Sequence, residues 1–298
     1  MTDAAAPIAT SPAAAPAAVG PFDHQIAPHG ATLLTTEQFV ALSALVYRAS
    51  GIHLHQGKFG LVQSRLAKRL RELDTRDVHA YLDGLSAPGA EVEIARLVDV
   101  ITTNKTAFFR EPRHFELLRV LLPKLQRRGR ISVWSAGCSS GEEAYTLALV
   151  LVDVLGREAS ARILATDISA RMIAHARAGV YAEDALEPVP PLLRQRYFRC
   201  VQARVPRKWS VRPEVRRLVR CARLNLVAPW PMRGVFDLIC CRNVMIYFDK
   251  ATQQALVQRF WEKLRPGGYL FTGHSESLAG LHHGFRYVQP AVYQRVAE

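Results

Sequence analysis

The sequence predicts an α/β fold: a doubly wound, mostly parallel sheet with a small N-terminal all-α domain and an inserted small β-subdomain. Strand-like and helix-like segments alternate from residue 130 onward, which is typical of a parallel sheet covered on both faces. Before residue 100, apolar residues recur every three or four positions, which is the period of helices. Between residues 179 and 226 the alternation stops, which indicates an insert.

These shifts in pattern divide the chain into four parts. Residues 1–30 are rich in alanine and proline, and we expect a disordered tail. Residues 31–100 form the helical domain, residues 101–115 a linker, and residues 116–298 the α/β domain with an insert at about 180–224. The first residues lack the basic start and apolar core of a signal peptide, so we expect a cytoplasmic protein. No apolar run is long enough for membrane insertion.

Two segments define the helical domain. TEQFVALSALVYRAS has Thr35 or Thr36 as a candidate N-cap and stops at Gly51. KFGLVQSRLAKRLREL has one apolar stripe that we expect to be buried. The stripe consists of Phe59, Val62, Leu66, Leu70 and Leu73, and the basic residues beside it are Lys58, Arg65, Lys68, Arg69 and Arg71.

The α/β domain is predicted from its alternating segments. The strands are ISVWSAG, ARILATDIS, FDLICCRN and GYLFTG, and the helices are GEEAYTLALVLVDVL, SARMIAHARAGV and KATQQALVQRFWEKL. The insert carries ten arginines and one lysine between Arg194 and Arg223, against one acid, Glu214. That basic face either binds a second acidic partner or is simply solvated.

The overall charge limits the partners. A net charge of +13 indicates an acidic one, which is a nucleic acid, an anionic membrane surface or an acidic protein. The five cysteines are odd in number and include no C-x-x-C pair, which argues against a disulfide framework or a zinc site. We therefore expect no metal.

The segment VWSAGCSSGEEAYTL has a glycine loop, GCSSG, between a strand and a helix. It matches neither the dinucleotide fingerprint nor the P-loop. Glu142 and Glu143 would repel a phosphate at this helix start and favour a ligand with a positive group. S-adenosylmethionine meets that requirement, and Asp167 at the end of the second strand is suited to bind its ribose hydroxyls. The alternative is an ordinary helix start with favourable acids, followed by a surface aspartate.

Three further motifs carry a family resemblance. TTNKTAFFRE at residues 102–111, CRNVMIYFDK at 241–250 and GHSE at 273–276 closely resemble the chemotaxis-receptor methyltransferases, the CheR family. The resemblance runs from about residue 35 to 295. It implies a class I S-adenosylmethionine-dependent methyltransferase with a Rossmann-like fold. The implied reaction is O-methylation of glutamates on acidic chemoreceptor helices, with S-adenosylhomocysteine as the product. It also implies a monomer recruited to receptor arrays.

The resemblance implies roles for single residues. The cofactor-binding residues are Asn104, Thr106, Arg110, Glu143, Asp167, Asn225, Leu226, Arg242 and Asn243. Arg110 and Tyr247 are the catalytic residues, which position the reacting groups. Other interpretations stay open: Asn104 and Thr106 as helix caps, and Tyr247 as a core aromatic.

Arg110 and His274 each have more than one possible role. Arg110 pairs either with a cofactor carboxylate or with Glu111 or Glu116, because a guanidinium next to buried aromatics needs an anion. His274 in GHSE has no evident partner in the sequence, which favours a structural role over that of a general base.

The substrate side depends on the basic helix and the insert. Lys58, Arg65, Lys68 and Arg69 are predicted to dock an acidic receptor helix, although a solvated helix face is the alternative. Family members that bind a receptor's C-terminal pentapeptide carry a glycine-rich loop in the insert. YFRCVQARVPRKWSV has no glycine, so we expect docking that does not depend on the pentapeptide.

Two competing functions were weighed. A nucleic-acid methyltransferase would suit the charge, but CRN replaces the N/D-P-P-[YF] signature of base methylation and no RNP-like strand is present. A non-catalytic, cofactor-sensing scaffold conflicts with the full set of site residues. We therefore expect no nucleic-acid partner.

Overall fold

The computed structural model describes residues 34–296, so the predicted tail at residues 1–30 lies outside the described residues. Four helices form the N-terminal domain: α1 (Thr36–Ser50), α2 (Phe59–Glu72), α3 (Val78–Gly84) and α4 (Glu91–Ile101). Their buried faces meet in an apolar cluster that continues into the sheet. The expected small all-α domain is confirmed.

The bounds of α1 follow from local hydrogen bonds at its ends. Thr35 is the N-cap, because its hydroxyl accepts from the Gln38 amide at 3.2 Å while the Gln38 side chain accepts from the Thr35 amide at 2.9 Å. This reciprocal pair satisfies two amide donors that a helix start leaves free. Gly51 ends the helix with φ 74°, a conformation that glycine adopts without a steric penalty.

Helix α2 buries a shorter stripe than the sequence predicts. Val62, Leu66 and Leu70 are buried, in agreement with the helical period. Phe59 is half-buried and Leu73 is 39% exposed, so the prediction is wrong for Leu73. The reason is that α2 ends at Glu72, and the backbone after it no longer directs side chains toward the core.

The seven-stranded main sheet has the order β6-β2-β1-β7-β8-β10-β9. Its strands are β1 (Ile131–Ala136), β2 (Ala161–Asp167), β6 (Val219–Arg223), β7 (Phe236–Cys241), β8 (Leu264–Thr272), β9 (Arg286–Gln289) and β10 (Val292–Gln294). The first five are parallel, and β10 runs antiparallel to β8 and β9. Strands β2 and β7 flank β1, so the chain winds outward in both directions, as predicted.

Helices cover both faces of this sheet. They are α5 (Arg113–Gln126), α6 (Glu142–Leu155), α7 (Ala170–Ala178) and α10 (Lys250–Lys263). Alternate residues of β1 enter different cores: Val133 packs with α5 and α6, and Trp134 packs with α10 and the N-terminal helices. Within residues 34–296, no helix combines the length and apolar content needed to cross a membrane.

The insert forms a separate three-stranded sheet of order β3-β5-β4. It comprises β3 (Val180–Ala182), α8 (Pro191–Tyr197), β4 (Phe198–Gln202), β5 (Lys208–Val211) and the short α9 (Pro213–Arg216). The predicted insert at 180–224 is too long, because β6 pairs in parallel with β2 as an edge of the main sheet. The predicted linker at 101–115 is also too long, since α4 includes Ile101 and α5 begins at Arg113.

Candidate active site

A pocket lies at the carboxyl ends of β1, β2 and β7, and its empty volume, which includes space open to solvent, is about 900 Å³. The walls come from the linker, the loop after β1, residues 224–226 and residues 242–248, while Ser50 and Ile52 add a wall from the helical domain. The predicted site residues that line it are Asn104, Thr106, Arg110, Glu143, Asp167, Asn225, Leu226, Arg242, Asn243 and Tyr247. The fold therefore brings all of them together.

The glycine loop gives the pocket its floor. Gly137 has φ +90°, and a Cβ there would lie 2.3 Å from Val244 Cγ2. The amides of Gly137 and Cys138 both donate to the Thr166 carbonyl at 2.8 Å, which fixes the loop against β2. Glycine at 137 is therefore required for both the backbone conformation and the close approach of residues 242–248.

Asp167 ends β2 with its carboxylate fixed by two amides. The Ser139 amide donates to Oδ2 at 2.8 Å, and the Ser169 amide donates to Oδ1 at 2.9 Å. Burial raises the pKa of Asp167, and the two amides oppose that shift. Because each carboxylate oxygen has a second lone pair, both oxygens remain able to accept from a ligand hydroxyl.

The two adjacent glutamates of α6 have different surroundings. Glu143 lines the pocket, where its carboxylate accepts from the Ser135 hydroxyl at 2.6 Å and from Arg242 Nη1 at 3.0 Å. The carboxylate of Glu142 instead accepts from the Ser140 hydroxyl at 2.7 Å, and Glu142 does not line the pocket. Glu143 is therefore the acid that a ligand in this pocket can contact.

Arg242 is the most constrained charge of the site. Its side chain is 3% exposed and lies between two carboxylates, Glu143 at 3.0 Å and Glu111 at 3.2 Å. Nη2 also donates to the backbone carbonyl of Arg110. Burial acts to lower the pKa of Arg242, but the two carboxylates outweigh it and raise the pKa, so the guanidinium stays charged.

Arg110 lies on a strained turn and carries an uncompensated charge. Its neighbours Phe109 and Glu111 have φ values of 51° and 58°, in the left-handed region. The Arg110 guanidinium donates to the Lys105 carbonyl at 3.0 Å, and no carboxylate within residues 34–296 pairs with it. Glu111, one of the two expected alternatives, binds Arg242 instead. Arg110 is thus available to an anion in the pocket.

The alternative interpretations of Asn104, Thr106 and Tyr247 have different outcomes. Asn104 and Thr106 lie in the irregular segment after α4 and cap no helix, and the Asn104 carbonyl accepts from the Ser139 hydroxyl at 2.9 Å. The Tyr247 hydroxyl donates to the Thr103 carbonyl at 3.4 Å. Tyr247 is half-buried and packs against the apolar cluster shared by the N-terminal helices and the sheet, while the Ile246 side chain beside it is 49% exposed.

Sequence reasoning missed Glu276, the acid of the GHSE motif. Its carboxylate accepts from the amides of Gly273 at 2.7 Å, Asn243 at 2.6 Å and Ile246 at 3.1 Å. Glu276 therefore holds the loop that carries Asn243, whose φ is 58°. The sequence did contain one indication of this residue, namely an acidic side chain shortly after a strand that reads as buried. His274 in the same motif does not line the pocket, which agrees with a role other than general base.

Of the four residues predicted to dock a receptor helix, two are exposed and two form hydrogen bonds within the protein. Lys58 and Lys68 are exposed. Arg69 is buried and forms a two-pronged ion pair with Glu93 at 2.8 and 2.6 Å, and this pairing lowers the pKa of Glu93. Arg65 is half-buried and donates to the Ile101 carbonyl and to the Thr103 hydroxyl. The structure therefore does not support Arg69 as a docking residue, because Glu93 already neutralises its charge. The Arg65 guanidinium is likewise occupied by its hydrogen bonds to the start of the linker.

Comparison with known proteins places this geometry in a family. Residues 104–293 match the CheR methyltransferase, SAM binding domain, and residues 37–102 match the CheR methyltransferase, all-alpha domain. The chain belongs to the CheR methyltransferase family. As a CheR family member, it is a methyltransferase with a domain for S-adenosylmethionine, and the doubly wound fold with an all-α domain is confirmed.

Curated relatives match over most of the chain. A probable chemotaxis protein methyltransferase of Rhizobium etli is 42% identical over 243 residues, covering 79% of this chain and 91% of the relative. Chemotaxis protein methyltransferase 2 of Pseudomonas aeruginosa is 41% identical, covering 87% and 93%. The chemotaxis protein methyltransferase of Escherichia coli K12 is 39% identical, covering 87% and 91%. The likeness includes both domains.

The residues of the pocket fit the cofactor of the CheR family. S-adenosylmethionine carries an ammonium, a sulfonium and ribose hydroxyls, and the pocket offers the Glu143 and Asp167 carboxylates. It also carries a carboxylate, and Arg110 is the guanidinium without an acidic partner. The acids at the start of α6 disfavour a phosphate ligand. The donor set therefore fits this cofactor.

The adjacent acids provide a matched test of the cofactor site. Glu143→Gln is expected to weaken S-adenosylmethionine binding about 10- to 100-fold, since a hydrogen bond between charged groups contributes about 1.5–3 kcal/mol. Glu142→Gln keeps its contact with Ser140 outside the pocket and should bind within about twofold of the parent. Isothermal titration calorimetry measures both affinities, and thermal melts verify folding. Equal affinities of the two variants would contradict the assignment.

Proposed function

We propose that this CheR family member transfers a methyl group from S-adenosylmethionine to glutamate side chains on acidic cytoplasmic helices of chemoreceptors. The products are glutamyl methyl esters and S-adenosylhomocysteine. Under this proposal the protein works as a cytoplasmic monomer recruited to receptor arrays. Its relatives in Rhizobium etli, Pseudomonas aeruginosa and Escherichia coli are named as chemotaxis protein methyltransferases, which supports this substrate class.

The chemistry of the pocket supports a carboxylate as the methyl acceptor. Among the described residues that line it, none is a histidine or a cysteine. Glu143 is ion-paired to Arg242, and Asp167 is bonded to two amides, so neither is suited to remove a proton. A glutamate with an unperturbed pKa of about 4.3 is already ionised at neutral pH and needs no general base. The proposal rests mainly on this agreement between a pocket without a general base and a substrate that does not require one.

The cofactor would be held by residues from three parts of the chain. When bound, S-adenosylmethionine supplies an electrophilic methyl group on a sulfonium, so transfer to a carboxylate moves no proton. We assign Glu143 to its ammonium, Asp167 to its ribose hydroxyls and Arg110 to its carboxylate. Asn104, Thr106, Asn225, Leu226, Arg242 and Asn243 complete the walls.

Arg110 and Tyr247 are the proposed catalytic residues, and their work is alignment. Both line the pocket, and the Arg110 charge has no acidic partner within residues 34–296. A guanidinium at this edge attracts the incoming carboxylate as well as the cofactor. The Tyr247 hydroxyl limits where that carboxylate can lie. Holding two reactants in a reactive geometry is a large source of rate enhancement.

Labelling with a methyl-labelled cofactor tests the reaction itself. The protein is incubated with labelled S-adenosylmethionine and purified cytoplasmic domains of candidate receptors. We expect label on the receptor domain that mild alkali releases, because methyl esters hydrolyse where N-methyl groups do not. A receptor domain whose methylatable glutamates are replaced by alanine serves as the control. Alkali-stable label, or label on added nucleic acid, would refute glutamate esterification.

The exposed lysines of α2 provide the test of docking. Lys68→Glu is expected to lower kcat/KM for receptor methylation about tenfold at low salt, since like charges at an interface disfavour encounter. Lys124→Glu in α5 makes the same charge change at an exposed position and is the control. Added salt should shrink the difference between the two variants. Equal rates of parent and Lys68→Glu would remove α2 from the proposed interface.

The insert leads to a separate prediction about receptor tethering. Strands β4 and β5 are joined by residues 203–207, which contain no glycine. We expect no measurable heat when a receptor C-terminal pentapeptide is titrated into the protein, with a scrambled pentapeptide as the baseline. Saturable binding of the ordered peptide alone would show that a glycine-rich loop is not needed for tethering.

A further inference from the structure

Glu111, His114 and His274 converge beside the active site, and none of the three lines its pocket. His114 Nδ1 lies 3.6 Å from Glu111 Oε2, and His274 Nε2 lies 3.9 Å from the same oxygen. One ligand atom from each residue lies within 4.8 Å of the other two. Neither histidine lines the pocket, so the proposed methyl transfer leaves both unused.

His114 is the unusual member of this cluster. Its ring is completely buried, and within residues 34–296 neither ring nitrogen has a hydrogen-bond partner of good geometry. Buried polar side chains nearly always have one, so an orphaned imidazole needs an explanation. Histidine is the commonest metal ligand in proteins and binds the ion through one ring nitrogen.

The spacing of the three groups is close to that of a zinc site. Zinc binds histidine nitrogen and carboxylate oxygen at about 2.0–2.2 Å with tetrahedral geometry, which separates ligand atoms by about 3.4 Å. The two separations from Glu111 Oε2, 3.6 and 3.9 Å, exceed this by a few tenths of an ångström, and the two histidine ligand atoms lie within 4.8 Å of each other, so an ion would draw the three groups closer together. Two histidines and one glutamate are also a known zinc donor set with one open position.

Charge and access suit a cation as well. The carboxylates of Glu111 and Glu143 share one guanidinium, that of Arg242, so Arg242 neutralises the negative charge of Glu111 only in part. The His274 side chain is 49% exposed, which leaves an entry path from solvent. Arg242 lies 3.2 Å from Glu111 Oε2, so an ion and Arg242 would compete for one oxygen.

We propose that Glu111, His114 and His274 form a binding site for a divalent transition-metal ion, with Zn²⁺ the best match to the donor set. This differs from the expectation of no metal, which rested mainly on the spacing of the cysteines. The two histidines are far apart in sequence and meet only because α5 and the loop after β8 are neighbours. Binding to the full chain needs no receptor, so its outcome is independent of the proposed glutamate esterification.

Competition for ZnCl₂ against a chromogenic chelator tests the site. All variants carry Cys200→Ser, which removes the exposed thiol. We expect one bound equivalent in this background and at least about tenfold weaker binding in His274→Ala, because even residues that only support metal ligands contribute that much. His282→Ala, an exposed histidine nearby in the chain, is the matched control and should bind like the background.

Two more readouts distinguish this site from binding elsewhere. Co²⁺ should give the visible absorption of a tetrahedral ion in the background and in His282→Ala, and not in His274→Ala or Glu111→Gln. Each of these ligand variants keeps His114, whose replacement in the core endangers folding. Absence of zinc binding, or equal affinity of His274→Ala and His282→Ala, would overturn the proposal.

Discussion

The guanidinium of Arg242 is almost fully buried and is held by carboxylates from two distant parts of the chain, Glu111 and Glu143. A buried charge is tolerated only when partners surround it, and loss of one partner is costly because the other charges stay buried. Arg242 thereby fixes the end of β7, the start of α6 and the turn at the end of the linker relative to one another. The pocket lies between these three segments, so its shape depends on this one triad.

The same triad explains how a strained turn persists beside the pocket. Phe109 and Glu111 both adopt left-handed φ values, and such conformations cost about 1–3 kcal/mol each for residues other than glycine. The Phe109 amide donates to the Thr146 hydroxyl at 3.1 Å, and Arg242 binds both the Glu111 side chain and the Arg110 carbonyl. These contacts offset the strain, and the strain in turn projects Arg110 into the pocket.

The sequence was sufficient wherever local pattern decided the outcome. Thr35 with Gln38 marks the start of α1, and the small residues from Gly137 to Gly141 mark the cofactor loop. The ten site residues predicted from the glycine loop, the end of the second strand and the motif resemblance all line the pocket. Helical spacing could not show that Arg69 has Glu93 as a partner, since the two lie on different helices. Nor could it separate Glu142 from Glu143.

What the sequence did not show depends on tertiary contacts between distant residues. Glu276 accepts from backbone amides about thirty positions earlier in the chain. Nearly every residue has a backbone amide, so the sequence does not reveal which ones a carboxylate binds. The meeting of His114 with His274 depends on α5 lying beside β8. Such sites can be recognised only from the three-dimensional structure, because the sequence around each residue is equally compatible with a purely structural role.

The helical domain supplies part of the pocket wall through Ser50 and Ile52, and this has a consequence for modularity. The Asn225 side chain donates to the Ala49 carbonyl, and Ile52 forms a β-bridge with Phe248. The catalytic half therefore has an incomplete pocket on its own. Swapping the helical domain between relatives would also replace a wall of this pocket. The two halves must be inherited, or engineered, as one unit.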